Sequence, residues 1–179
     1  MITIKNLLAT GPLAAFCILG LTHCGGNDND DPVDVKEISA QDSALTVAQK
    51  TVVKVDFSFS ADRVFDHDKT AYIVLQLPAN LTFQRNSAEI QRLFDDNRVS
   101  PQVTDCSDGT TYLAFNFDDR DLVDATNPSG DADARVNFTV NAVSSGGDII
   151  ISGEGSEDPI DTVCGRSLDE EAVAAVTIR

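Results

Sequence analysis

The sequence predicts an all-β fold, an antiparallel sandwich of seven or eight short strands, on three observations. Beyond about Val33, apolar residues recur at every second position, the period at which a strand shows one face to a core. The runs are short, and clusters of turn-forming residues close them. Only one stretch has helical spacing, so the expected architecture is strands with at most one short helix.

In chain order, "ALTV" from Ala44 is a first short candidate. "TVVKVDFSFS" follows, with Val53, Val55, Phe57 and Phe59 inward and Lys54, Asp56 and Ser58 outward. "AYIVLQL" is apolar on both faces at Ile73, Val74 and Leu75, as a central strand requires. "LTF" comes next, and then "SAEIQRLF", Ser87 to Phe94. The spacing of Ile90, Leu93 and Phe94 there predicts a short helix crossing between sheets. "TTYLAFNF" places Leu113, Phe115 and Phe117 on the core side. "ARVNFTVNAV" shows the cleanest alternation, with Ala134, Val136, Phe138, Val140 and Ala142 on one face. "DIIIS" and the terminal "AVAAVTI" complete the set. Turns are expected at Pro78–Asn80, Ser107–Gly109, Asn127–Gly130 and Ser144–Gly147.

Bulk properties narrow the function classes. The chain has 179 residues, enough for one domain plus a targeting segment. Its 13 basic residues face 29 acidic ones, a net charge of -16 that repels phosphate backbones and disfavours nucleic-acid binding.

The first 23 residues read as an export signal: Lys5, then an apolar core from Leu7 to about Leu21. That core is short of the roughly 20 apolar residues a spanning helix needs, and Gly11 and Pro12 interrupt it. "Leu21-Thr22-His23-Cys24" resembles the lipobox of bacterial lipoproteins, although His23 stands where that family usually has a small residue. The resemblance implies diacylglyceryl and palmitate-type acylation of Cys24, which becomes the first residue of the mature chain. It also implies a membrane anchor in the bacterial cell envelope. Gly25 after the cysteine suggests the outer membrane by the sorting rule of well-studied enterobacterial lipoproteins. "GGNDNDDP" then reads as a flexible acidic tether. The expected division is a signal peptide over 1–23, lipidated cysteine and tether over 24–34, and the sandwich over 35–179.

With Cys17 in the signal and Cys24 lipidated, Cys106 and Cys164 remain as a pair in an oxidising compartment. A disulfide between them closes a loop of about 58 residues, worth roughly 4 kcal/mol in the chain-entropy treatment. No CxxC spacing supports a redox or metal role for them.

"VLQLPANLTF", "TYLAFNFDDRDL" and "ARVNFTVNAVSSGGDIIISG" together resemble the Ig-like conserved repeat modules of bacterial surface proteins, from about Leu45 to Ile178. The resemblance implies an Ig-like sandwich with adhesion, display or structural roles and no shared catalytic residues. That family usually occurs in tandem arrays, whereas this chain holds a single copy.

Few residues point to chemistry. Asp118, Asp119, Asp121 and Asp124, with Asp131 and Asp133 beyond a Pro-Gly turn, could converge at one end of the sandwich and hold calcium through hard oxygen ligands. Their spacing matches neither an EF-hand nor a repeat-type calcium loop, and a solvated corner loop is the simpler explanation. His67, between Asp66 and Asp68, has no GxSxG nucleophile turn to serve. Carbohydrate recognition lacks flat aromatic platforms, since the chain has no Trp and only Tyr72 and Tyr112. The expectation is therefore a membrane-anchored, non-enzymatic Ig-like module without cofactor that acts in protein binding, adhesion or envelope structure. The alternative is a calcium-dependent binding module using the Asp118–Asp133 loops.

Overall fold

A computed structural model describes residues 33–60, 70–91, 96–117, 131–169 and 172–179. These form an antiparallel-rich sandwich of two six-stranded sheets, and no helix occurs among the described residues. The first sheet runs β1 (Val33–Ala40), β3 (Lys50–Ser60), β10 (Asp131–Ala142), β6 (Glu89–Gln91) and β7 (Asp96–Arg98), with β5 (Leu81–Phe83) also on β10. The second runs β2 (Ala44–Leu45), β12 (Ala172–Ile178), β11 (Gly147–Ser156), β4 (Ala71–Leu77), β9 (Thr111–Phe117) and β8 (Gln102–Asp105). The chain changes sheet between β1 and β2, and β2 pairs with β12 in parallel, the one parallel pairing recorded between strands.

The alternation builds the core as expected. Val53, Val55, Phe57 and Phe59 of β3 and Val136, Phe138 and Val140 of β10 are buried against Leu113, Phe115 and Phe117 of β9. Phenylalanine rings run through this interior in sequence: Phe59, Phe57, Phe117, Phe115, Phe138 and Phe83. Successive centroids lie 5.4–6.3 Å apart, the separation at which aromatic pairs add to simple burial. β4 sits between β11 and β9 and is buried at Ile73, Val74 and Leu75, as its two-sided apolar pattern predicts.

The sheets are pinched where β1 crosses β11. A side chain at Gly153 would meet Ile38 Cδ1 at 2.9 Å, and one at Gly155 would meet the Val33 carbonyl oxygen at 2.8 Å. Glycine at both places lets the two backbones approach.

Three expectations change. The described part of the helix expected over Ser87 to Phe94 is not helical: Glu89–Gln91 is β6, paired antiparallel with Arg135–Asn137, and residues 92–94 lie outside the described residues. Period two wins there because Ala88 and Ile90 are both buried, and the exposed flank of β10 offers unpaired backbone. Ser87 completes the junction, since its hydroxyl accepts a bond from the Thr139 N–H at 2.9 Å. The sandwich begins at Val33, inside the stretch read as tether, because Val33 and Val35 alternate inward and pair with Phe59 and Phe57. The structure has twelve strands among the described residues instead of seven or eight, the additions being short edge pieces such as β6, β7 and β8. The turns at Pro78–Asn80 and Ser107–Gly109 lie between strands, the one at Ser144–Gly147 runs into the first residue of β11, and Gly109 takes φ 87°, which only glycine adopts without strain. The turn expected at Asn127–Gly130 lies outside the described residues.

Candidate functional site

The two sheets present outer faces of different construction. On the second sheet, the outward positions of β4 and β9 carry Val74, Tyr112 and Ala114. Such residues cannot face water without cost, and the segment 157–169 between β11 and β12 lies across them as a strap. Leu168 and Ile160 of the strap pack on Val74 and Tyr112 in a small second core.

Polar groups lock the strap down. Cys106, just past β8, is disulfide-bonded to Cys164, with Cα atoms 5.5 Å apart. Glu154, on the outer side of β11, is only 4% exposed and forms an ion pair with Arg166 of the strap. Its second carboxylate oxygen accepts the Asp169 backbone N–H at 2.6 Å. Arg166 also donates to the Asp161 carbonyl at 3.0 Å, and its own carbonyl accepts the Tyr112 hydroxyl at 2.6 Å. Thr104 and Thr162 hydroxyls meet at 3.2 Å. Burial first, and the charge of Asp108 second, push the Tyr112 phenol above its ordinary pKa, while Arg166 pulls it back. Both Glu154 oxygens and the Tyr112 proton are committed to holding the strap, so this cluster is a clamp and not an acid–base pair.

The first sheet has no cover over its outer face among the described residues. Arg135 of β10 pairs with Asp56 of β3 through two bonds, Nε to Oδ1 at 2.5 Å and Nη2 to Oδ2 at 2.8 Å. The bond from Asp56 and its charge hold the guanidinium above its usual pKa. Lys36 reaches Asp133 at 3.3 Å. The register sets Lys54, Asn137 and Glu89 side by side in one cross-strand row. The face is a half-exposed ladder of mixed charge.

Of the residues proposed for calcium, Asp118, Asp119, Asp121 and Asp124 lie outside the described residues, as does the side chain of Asp131. Asp133 is described, exposed and paired with Lys36. No group of three acidic, histidine or cysteine side chains placed to hold a metal occurs among the described residues. His67, Cys17 and Cys24 lie outside them too. Sequence reading missed Tyr112, Glu154 and Arg166 as a unit. Its one available signal was an apolar surplus at outward positions of β4 and β9, beside a cysteine with a distant partner.

No family model matches the chain, and no curated protein matches it. Among solved structures it is similar to the major pilin SpaA of Corynebacterium diphtheriae, at TM-score 0.53 and 13% identity, over 79% of this chain and 37% of the pilin. It is also similar to the fimbrial protein FimP from Actonomyces oris, at TM-score 0.52 and 10% identity, over 73% of this chain and 33% of that one. The chain thus spans about a third of each protein, and at these identities the likeness is one of fold: an Ig-like sandwich of the kind found in pilins.

Proposed function

We propose that this protein is an exported envelope module, anchored to a bacterial membrane through acylated Cys24, that binds a protein partner or supports envelope structure without catalysis. The observation that carries the reading is the Cys106–Cys164 disulfide, which ties the strap to the second sheet and needs an oxidising compartment. Export is what the first 23 residues supply, and the lipobox-like Leu21–Cys24 gives the anchor. A pilin-type sandwich suits such a duty: SpaA belongs to a modular pilus assembly. The best-defined polar cluster is a clamp and leaves no free acid–base group, which supports a binding role over hydrolysis.

Two or three acyl chains, each methylene worth about 0.8 kcal/mol, hold a protein on a bilayer effectively for good. The short tether, at about 3.5 Å per extended residue, keeps the sandwich within a few tens of ångströms of that surface. Replacing residues 1–24 with a cleavable export signal that leaves no cysteine at the mature start tests this. The variant is expected to leave the membrane fraction and appear as soluble protein, and its retention in the membrane would overturn the anchor.

A further inference from the structure

We infer that the outer edge of β12 is a docking site for an extended strand of a partner protein that alternates apolar residues and carries basic ones. The inference rests on the binding role proposed above and names its place.

The backbone directions decide which groups are free. Thr177 N–H bonds the Ser43 carbonyl and Arg179 N–H bonds the Leu45 carbonyl, so both point away from β11 and onto β2. The Ile178 carbonyl points the other way and accepts the Gly146 N–H. β12 pairs with β11 without a bulge from Ala172 to Ile178, so direction alternates strictly along it. Val173 and Ala175 therefore aim their N–H and C=O outward, as Thr177 does. β2 is two residues long and pairs only with Thr177 and Ile178. No strand among the described residues takes the groups of Val173 and Ala175.

An edge of this kind is normally guarded by a charge, a proline or a bulge. "AVAAVTI", Ala172 to Ile178, has none of them. The first sheet shows such a guard, since the β1 edge carries a bulge between Val35 and Glu37 and an exposed Lys36. The outer surface beside the β12 edge is apolar too. Val173 is 50% exposed, and Ile150, opposite Ala175 on β11, is 56% exposed, the strap having covered only the β4–β9 half of this sheet.

Charge selects the occupant. Exposed Asp42 precedes β2, exposed Asp148 lies beside Thr177 on β11, and exposed Asp169 stands just before β12. With a net charge of -16, a second copy of this chain is repelled, whereas a basic strand is drawn in. Backbone bonds would supply attachment, and alternate apolar side chains on Val173 and Ile150 would supply selectivity.

The probe is a peptide of about seven residues alternating valine and threonine, with lysine at both ends, long enough to span the edge at about 3.3 Å per residue. It is titrated into the folded domain while the amide signals of Val173 and Ala175 are followed by NMR. These two amides are expected to shift and to gain protection from exchange, while those of Ala172 and Ala174, bonded to β11, move little. N-methylation of alternate peptide amides is expected to weaken binding by about tenfold or more, because it removes the bonds without touching the protein. Val173→Pro deletes an outward N–H and spares the β11 ladder, so it should have the same effect in a folded domain. A glutamate-ended peptide should bind more weakly, most clearly at low salt.

Binding that ignores N-methylation, or shifts confined to other strands, would overturn the inference. So would concentration-dependent dimerisation that protects Val173 and Ala175 without peptide, which would make the occupant a second copy. If the peptide fails while the variant with a cleavable signal and no Cys24 still leaves the membrane fraction, the envelope reading stands and the edge alone is wrong.

Discussion

The outer faces of the two sheets come from the same alternation and end in opposite states. On the first sheet every outward position of β3 and β10 from Lys54 to Ser58 and from Asp133 to Asn137 is polar. The face carries a half-buried Arg135–Asp56 pair and an exposed Lys36–Asp133 pair, with no strap over them among the described residues. On the second, Val74 and Tyr112 break the polar pattern, and a strap with a disulfide and a buried ion pair closes over them. In this molecule the cover sits over the outward apolar residues of β4 and β9, while outward Val173 and Ile150 on the β11–β12 half of the same sheet stay bare. The difference in cover also makes the two sets of electrostatic bonds unequal. Exposed pairs contribute little, about 0–1 kcal/mol, whereas removing one partner of a buried pair strands the other in a dry site.

Unlatching the strap has the largest expected effect. Replacing both Cys106 and Cys164 by serine is expected to lower unfolding free energy by about 4 kcal/mol at most, read from denaturant melts, with no such loss on adding reductant to the variant. A change below about 1 kcal/mol would mean that the strap holds without its latch.

Next comes the contrast of two arginines. Arg166→Ala leaves the Glu154 carboxylate buried beside one backbone donor and should cost about 3 kcal/mol. Arg135→Ala removes a two-bond pair that is still half exposed and should cost about 1 kcal/mol. Equal losses in chemical denaturation would erase the distinction between the faces.

The smallest effect is that of Tyr112→Phe, about 1 kcal/mol for the lost bond to the Arg166 carbonyl. It has a pH signature as well. The folded phenol has its pKa raised, chiefly by burial, so the native state keeps its proton after the unfolded phenol ionises near pH 10. That contribution is fully present below about pH 10 and is lost as pH rises further, because a phenolate cannot donate to Arg166. Wild-type stability should fall across that alkaline range, and the Phe variant should fall less.

The sequence shows the sandwich because period two is a strong local signal wherever one face is buried. Phe57, Phe115 and Phe138 all lie where alternation puts them. The disulfide was legible through elimination among four cysteines. The strap was not legible, since Glu154 and Arg166 meet across 12 positions without secondary structure to relate them, and a lone glutamate in a strand looks solvated. β6 was misread because three residues carry too few turns of any period to separate 2 from 3.6, and pairing with β10 settled the matter. The open edge at Val173 needed the register of β2, which no local pattern gives.

An anchored envelope module with its strap latched is put to the test by the intact mass of the protein from the membrane fraction. The prediction is a chain beginning at Cys24 that carries added acyl mass and gains about two daltons on reduction of the Cys106–Cys164 bond. A chain cut elsewhere and free of lipid would contradict the anchor, and an unchanged mass under reductant would contradict the latch.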